Sequence, residues 1–225
     1  MKITADTGNR KGVPMYILKG HTDPAWGMAF SPDGQTLATC SRDGTVRLWQ
    51  TNSGAPQRIL KHADIVWDVA FSPDRQTLAA SMTNNGTVQL WQVASGESLH
   101  VLEAFSSVGP VAFSLDGQTL ASGSYEGFVQ LWHVTDGHLM RTLKNRSGAV
   151  MSLAFSPDGQ ILASGLEDDT ILLWHVTDDK PPVVLQGAAD SVWSVAFSPN
   201  GQILASGSAD RTVRLWQVDG PPCIH

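Results

Sequence analysis

The sequence is poor in cysteine, in charge and in long apolar runs, and each shortage excludes a class of protein. Only two cysteines, Cys40 and Cys223, occur in 225 residues, so we expect neither a disulfide framework nor a zinc-binding cysteine cluster. Charged residues make up 16% and hydrophobic residues 42%, a balance that argues against a disordered chain. No apolar stretch approaches about eighteen residues, so no membrane partner is expected.

Basic residues are also few and scattered. Fifteen Lys and Arg against 21 Asp and Glu give a net charge of −6, and no Lys/Arg run occurs. A nucleic-acid partner is therefore not expected, because binding phosphates requires a basic face. The first ten residues contain no apolar segment of the kind found in signal peptides, and the simplest expectation is a cytoplasmic protein.

The sequence does contain a strong internal repeat. The dipeptide Leu-Trp ends at Trp49, Trp91, Trp132, Trp174 and Trp216, and Ala-Phe-Ser recurs with its phenylalanine at positions 30, 71, 113, 155 and 197. Successive landmarks are 41 or 42 residues apart. Two landmarks that keep one period over nearly the whole chain predict five copies of one structural unit.

Each unit has the pattern of short β-strands. In the last copy, residues 192–198 alternate between apolar and small residues, residues 203–208 form a second strand, and residues 212–218 form a third. Pro-Asn-Gly at 199–201 predicts a turn. A short apolar run such as Val183-Val184-Leu185 supplies a fourth strand. Four antiparallel strands per unit predict an all-β propeller or solenoid.

The motifs Gly20-His21, Asp33-Gly34 and Thr45-Val46-Arg47-Leu48-Trp49 resemble the WD40 repeat, and the resemblance extends over residues 13–219. It implies a β-propeller of five four-stranded blades. It also implies that a tetrad of His, Ser/Thr, Asp and Trp locks a blade. Only the first unit matches in full, with His21, Thr39, Asp43 and Trp49, so we expect the other four to depend on apolar packing and tight turns.

The predicted organisation is an N-terminal extension (1–12), one propeller domain (13–219) and a C-terminal tail (220–225). The tail is too short and proline-rich for a fourth strand, so residues 13–19 are expected to complete the last blade and close the ring. Five blades are unusual for this repeat. An open arc, and an oligomer that shares blades, are the alternatives to a closed ring.

No G-x-S-x-G, P-loop or H-E-x-x-H motif occurs, so we expect no enzyme, no cofactor and no metal. His133 and His175 occupy equivalent positions, and a metal bridging them is the alternative to exposed strand ends, which we favour. Carboxylates that recur once per unit are typical of structural turns; they are Asp33, Asp74, Asp116 and Asp158.

Residues that differ between equivalent positions are better candidates for partner binding. The resemblance implies a partner face at the mouth of the channel, and aromatic and arginine side chains commonly anchor interfaces. The candidate residues are Trp26, Arg42, Trp67, Asn84, Tyr125, Met151, Glu167 and Trp193. The alternative for the tryptophans is a core role, because Trp193 shares the strand parity of Val195 and Phe197.

The expected function is a non-catalytic scaffold that binds a protein or peptide partner on one propeller face. Two alternatives remain open. The first is a regulatory or sensor module, or a fragment of a larger, bacterial-type multidomain signalling protein. The second is a structural oligomer whose copies share blades, since the sequence leaves monomer and homo-oligomer undecided.

Overall fold

The computed structural model describes residues 15–145 and 148–218, which form nineteen strands in five antiparallel sheets. Blade 1 comprises β1 (Ala25–Phe30), β2 (Thr36–Ser41), β3 (Thr45–Gln50) and β4 (Pro56–Lys61). Blade 2 comprises β5 (Val66–Phe71), β6 (Thr77–Met82), β7 (Thr87–Gln92) and β8 (Ser98–Glu103). Blade 3 comprises β9 (Val108–Phe113), β10 (Thr119–Ser124), β11 (Phe128–His133) and β12 (Leu139–Lys144).

The last two blades differ in their number of strands. Blade 4 comprises β13 (Val150–Phe155), β14 (Ile161–Leu166), β15 (Thr170–His175) and β16 (Val183–Gln186). Blade 5 comprises β17 (Val192–Phe197), β18 (Ile203–Ser208) and β19 (Val213–Gln217). The predicted all-β architecture of five WD40-type blades is confirmed. Within the described ranges, no helix is long and apolar enough to cross a membrane.

Serine and aspartate close the turn between the first two strands in blades 1–4, as blade 4 illustrates, and Asn200 replaces the aspartate in blade 5. Ser156 Oγ donates to Asp158 Oδ1 at 2.5 Å and accepts from the backbone N–H of Ile161 at 2.9 Å. Gly159 has a φ of +71°, a conformation that suits glycine. The same serine–carboxylate bond recurs at Ser31, Ser72 and Ser114, so these periodic aspartates serve the turns.

Within the described residues, the hydrophobic core consists of four clusters, and each joins two successive blades. Between blades 3 and 4, for example, Val129 and Leu131 pack with Val150 and Leu162, and all four are at most 1% exposed. The inner strands pack in sequence, β1 on β5, β5 on β9, β9 on β13 and β13 on β17. Each blade is therefore stabilised mainly by apolar contact with its neighbours.

Among the described residues, the two ends of the array do not pack together, so these residues do not form the predicted closed ring. Among the described residues, β17 has no packing against β1 comparable to that between successive inner strands. On blade 5, Val213 and Leu215 are 74% and 71% exposed, although their equivalents in blades 1–4 are buried. On blade 1, Met28 and Phe30 are 65% and 64% exposed. The described residues thus form an open arc.

The predicted closing strand is also not formed. Blade 5 has three strands, and residues 15–19 lie in no strand; residues 13 and 14 lie outside the described residues, as do the predicted extension at 1–12 and the tail at 220–225. Residues 15–19 instead lie against blade 1, where Tyr16 Oη donates to the carbonyl of Asn52 at 2.6 Å. Residues 15–19 therefore pair with no described strand of blade 5.

Candidate functional site

The four tetrad side chains of blade 1 form one continuous hydrogen-bond network. His21 Nδ1 lies 3.0 Å from Asp43 Oδ2, and His21 Nε2 lies 2.8 Å from Thr39 Oγ1. Trp49 Nε1 donates to the same threonine hydroxyl at 2.9 Å. Partial burial opposes ionisation of Asp43, but hydrogen bonds from Thr45, Thr22 and His21 hold its pKa at about 2. This network fixes the loop before β1 to the β2–β3 turn.

The other blades retain more of this network than expected, because the tryptophan keeps a hydrogen-bond partner in each. In blades 3, 4 and 5 the indole N–H donates to Ser122, Ser164 and Ser206 at 2.8–2.9 Å. In blade 2, where Ala80 replaces the hydroxyl residue, Trp91 donates directly to His62 Nε2 at 3.0 Å. Burial lowers the pKa of His62 to about 4, so His62 is a neutral acceptor at pH 7.

Three of the candidate aromatic residues meet at the end of the inner strands where this network lies. Trp26 and Trp67 contact edge to face with ring centroids 4.9 Å apart, and Trp67 and Tyr125 do so at 5.9 Å. Such contacts favour a fixed ring geometry. Trp26 is 43% exposed, and the other two are partly buried. These residues, called here the rim cluster, run across blades 1, 2 and 3.

A β-bulge lies at each of the candidate tryptophans. In β17, Val192 pairs with Ser208 and Ser194 pairs with Gly207, which leaves Trp193 as an extra residue. The same shift occurs at Trp26, Trp67 and Met151. A bulge breaks strand alternation and redirects the side chain. Trp193 is 65% exposed while Val192 and Val195 are buried. No described blade covers blade 5, which adds to this exposure, since Trp67 and Met151 at the same bulge are partly buried. The core alternative, based on strand parity, therefore does not hold for Trp193.

The turns between the second and third strands border the rim cluster, and Arg42 and Glu167 are exposed there. The backbone N–H groups of Arg42, Tyr125 and Glu167 each donate to the loop that precedes the inner strand of the same blade. In blade 2, Thr83 makes this bond, because the turn contains one additional residue. Asn84 is exposed and donates from Nδ2 to Asp64 Oδ1 at 2.8 Å, so it is not the counterpart of Arg42.

The remaining candidates extend the site to blades 4 and 5. Partial burial, and then the nearby Glu167 carboxylate, raise the pKa of Tyr125, which places Glu167 within electrostatic range of the rim cluster. Met151 is partly buried at the start of β13. Trp193 lies on β17 of the last blade, so it belongs to the end of the arc.

Asp68, next to Trp67, was missed by the sequence analysis although it links two blades. Its Oδ2 accepts the backbone N–H of Val111 at 3.1 Å, and Ser152 Oγ accepts that of Val195 in the same way. Burial raises the pKa of Asp68. At the equivalent position the other blades have Gly27, Pro110, Ser152 and Ser194. The acidic residue at this position in blade 2 was the sequence feature that could have indicated the role of Asp68.

A concave surface lies at the end of the inner strands opposite the rim cluster, and its lining differs from that of the rim cluster. It has a volume of about 420 Å³ and is lined by residues that repeat in successive blades, among them Phe71, Phe113, Phe155 and Phe197. Residues that are identical at equivalent positions in successive blades are explained by the repeated blade structure and do not indicate a specific binding site. The rim cluster instead combines different side chains at equivalent positions, which makes it the better candidate for recognition.

Comparison with known proteins identifies the same repeat. The family profile described as WD domain, G-beta repeat matches residues 12–50, 54–92, 96–133, 137–175 and 179–217. Human striatin-4 is 51% identical over 49 residues, which are 22% of this chain and 6% of striatin-4. A WD repeat-containing protein of Synechocystis sp. (strain ATCC 27184 / PCC 6803 / Kazusa) is 48% identical over 46 residues, 20% of this chain and 13% of that protein.

A third relative is the homolog of the cytosolic iron-sulfur protein assembly protein CIAO1 in Chlamydomonas reinhardtii. It is 46% identical over 43 residues, which are 19% of this chain and 12% of that protein. Each of these matches has the length of about one repeat. The chain therefore matches only a small fraction of the length of these relatives.

Proposed function

The chain belongs to the WD40-repeat family, and we propose that it is a non-catalytic scaffold that binds a protein or peptide partner at the rim cluster. The observation that supports this proposal is the line of edge-to-face contacts from Trp26 through Trp67 to Tyr125. Its aromatic rings are fixed by their mutual contacts and partly open to solvent. Rigid aromatic groups lose little conformational entropy on binding, which suits them as anchors.

The charged side chains beside the rim cluster give the proposed face its polarity. Arg42 of blade 1 and Glu167 of blade 4 are exposed on the turns around it, so the face offers one charge of each sign beside an aromatic surface. We expect the partner to present an apolar or aromatic anchor with a charged residue nearby. The proposal places this protein in the cytoplasm, the compartment that the name of the Chlamydomonas relative also indicates.

Replacing Arg42 and Tyr125 together with alanine should weaken partner binding at least about tenfold without lowering the melting temperature, since neither side chain lies in the buried core. A photo-crosslinking residue at position 42 would first capture and identify the partner. Its dissociation constant would then be measured with the purified proteins. Val101→Ala, at an exposed position on the outer strand of blade 2, is the control. An unchanged dissociation constant for the double variant would contradict the proposal.

A specific observation also supports a second function, the assembly of copies into a shared array of blades. In the part of the chain that the structure describes, blade 5 has no outer strand and exposes Val213 and Leu215, while blade 1 exposes Met28 and Phe30 at the other end of the array. In each successive pair of blades, the equivalents of these two surfaces pack together. We therefore propose that blade 5 of one copy packs on blade 1 of the next.

The position of residues 15–19 supports this head-to-tail arrangement. The Tyr16 hydroxyl donates a hydrogen bond to the backbone carbonyl of Asn52. Three outer-strand side chains make similar contacts with backbone carbonyls of the next blade: Arg58 with Ala94, His100 with Thr135, and Arg141 with His175. The segment thus lies where the outer strand of a preceding blade would lie. In the proposed assembly it adds to the free edge of β19 of the neighbouring copy.

The substitution Leu215→Asp should abolish this assembly and leave the fold intact. We expect light scattering after size exclusion to give a mass above one chain for the wild type, falling on dilution, and the mass of one chain for the variant. Val101→Asp, at another exposed apolar position (56%), should behave as the wild type. A wild-type mass of one chain at all concentrations would rule out the assembly and leave the rim-cluster proposal untouched.

A further inference from the structure

Two imidazoles and a carboxylate converge at the turn between β11 and β12 of blade 3. His133 ends β11, and Asp136 and His138 follow in the turn. His133 Nδ1 lies 2.8 Å and His138 Nδ1 lies 2.7 Å from the same oxygen, Asp136 Oδ1. The ligand-type atoms of the three residues all lie within 4.8 Å of one another. Three donors at this spacing match one face of a tetrahedral metal site.

The backbone of this turn holds the two histidines opposite each other. The N–H of His133 donates to the carbonyl of His138 at 3.0 Å, and the N–H of Gly137 donates to the carbonyl of His133 at 2.9 Å. The backbone N–H of His138 also donates to Asp136 Oδ1 at 3.2 Å. The positions of all three side chains therefore follow from a short, closed turn and not from a flexible loop.

The turn itself does not require these three residues, as the other blades demonstrate. Blade 1 closes the same turn with bonds from Gln50 to Ala55 and from Gly54 to Gln50, both at 2.8 Å, and has Ser53 at the position of Asp136. Blade 2 uses Gln92, Ser95 and Glu97 in the same places. Blade 4 has His175 and Asp178 at the first two positions but Lys180 at the third. Among blades 1–4, blade 3 therefore combines three metal-ligand types in this turn through His138.

We propose that His133, Asp136 and His138 form a surface site for a divalent transition metal ion, of which Zn²⁺ is the best fit. Two imidazole nitrogens and one carboxylate oxygen are a donor set that suits Zn²⁺ and does not suit Ca²⁺ or Mg²⁺. The side chains are 33%, 58% and 58% exposed, so water or a side chain of another molecule completes the coordination. This proposal replaces the expectation, from the sequence, of no metal.

The two imidazoles contact the Asp136 carboxylate through the same Nδ1 atoms that would bind the metal, so the ion takes the place of these hydrogen bonds. Metal binding requires each imidazole in the neutral form with its proton on Nε2, which frees Nδ1 as a ligand. Protons compete for the same nitrogens, and the affinity should therefore fall as the solution is acidified.

The proposed metal site is separate from the rim cluster. The β11–β12 turn lies at the opposite end of β11 from the β10–β11 turn that carries Tyr125. One further imidazole lies nearby, since His100 of blade 2 contacts the carbonyl of Thr135 at 3.0 Å through Nε2. Arg58 and Arg141 occupy the position of His100 in blades 1 and 3 and make the equivalent bond.

The repeat supplies matched variants for the test. His133→Gln, Asp136→Ser and His138→Ala each introduce the residue that blade 1 already has at that position, so the turn should remain folded. His100→Arg removes the neighbouring imidazole and retains the contact between blades. His175→Gln removes the equivalent of His133 in blade 4. The last two variants are controls.

The full chain, treated with EDTA and dialysed, would be titrated with Zn²⁺ by calorimetry and with Co²⁺ by visible absorption. We expect saturable binding with one ion at this site, and a Co²⁺ spectrum typical of nitrogen and oxygen ligands. Affinity should fall more than about tenfold in each of the three turn variants and remain unchanged in the two controls. Absence of saturable binding, or binding that survives His133→Gln and His138→Ala, would overturn the proposal.

Discussion

Truncating Leu131 to alanine should lower the free energy of unfolding by about 3 kcal/mol, whereas the same truncation of Leu215 should lower it by less than about 0.5 kcal/mol. The two leucines occupy the same position in their repeats, between a polar residue and the blade tryptophan. Leu131 is 1% exposed because blade 4 covers it, while Leu215 is 71% exposed because no described residue covers blade 5. The difference therefore measures the effect of a neighbouring blade.

Urea denaturation followed by tryptophan fluorescence would measure both values. The denaturation should be measured at protein concentrations at which light scattering gives the mass of one chain, because assembly would bury Leu215. Val129→Ala and Val213→Ala, 1% and 74% exposed, form a second pair with the same expected contrast. Equal losses for Leu131→Ala and Leu215→Ala would mean that the fifth blade is covered in the single chain and that the arc is closed.

Replacing Asp43 with alanine should lower the free energy of unfolding by about 2–3 kcal/mol at neutral pH, because it removes a charged acceptor from three donors, two of them half-buried. His21 Nδ1 and the backbone N–H of Thr22 both lie 3.0 Å from Asp43 Oδ2, and Thr45 donates to Oδ1. By contrast, Thr39→Ser should have little effect, since blades 3–5 use serine at this position for the tryptophan bond.

The contribution of Asp43 should depend on pH with a definite sign. Its pKa is about 2 in the folded protein, against an ordinary value of 3.8, so the folded state binds the proton less tightly than the unfolded state. The stabilisation is therefore complete above about pH 4 and is lost as the pH falls towards 2. Urea midpoints measured from pH 7 downwards should converge for the wild type and Asp43→Ala. A constant difference would mean that the carboxylate charge does not matter.

The blade architecture could be predicted from the sequence because each blade is built mainly from local contacts. The period of 41–42 residues, the alternating strands and the Asp-Gly turns all act within one repeat. Even the short outer strand of blade 4, predicted from Val183-Val184-Leu185, is present as β16. Neighbouring strands in a hairpin require no information from distant parts of the chain.

The features that could not be predicted depend on three-dimensional geometry, which cannot be read from the pattern of residue types. Closure of the ring depends on the angle between successive blades, summed over the whole array, and the apolar pattern of residues 13–19 contains nothing about that angle. The bulge at Trp193 reverses a side chain without changing the apparent alternation of Trp193, Val195 and Phe197. The proximity of His133 and His138 follows from a turn that pairs residues five apart, whereas equivalent positions in the repeat relate His133 to His175 of blade 4.

The open arc has a consequence for how the protein unfolds. Five blades are joined by four apolar interfaces, so the inner three blades have two neighbours each and the terminal blades have one. In such a linear array, stability is approximately the sum of blade and nearest-neighbour contributions. Fraying therefore starts at blades 1 and 5 and progresses inwards, and the tetrad of His21, Thr39, Asp43 and Trp49 reinforces one of the two ends where that fraying begins.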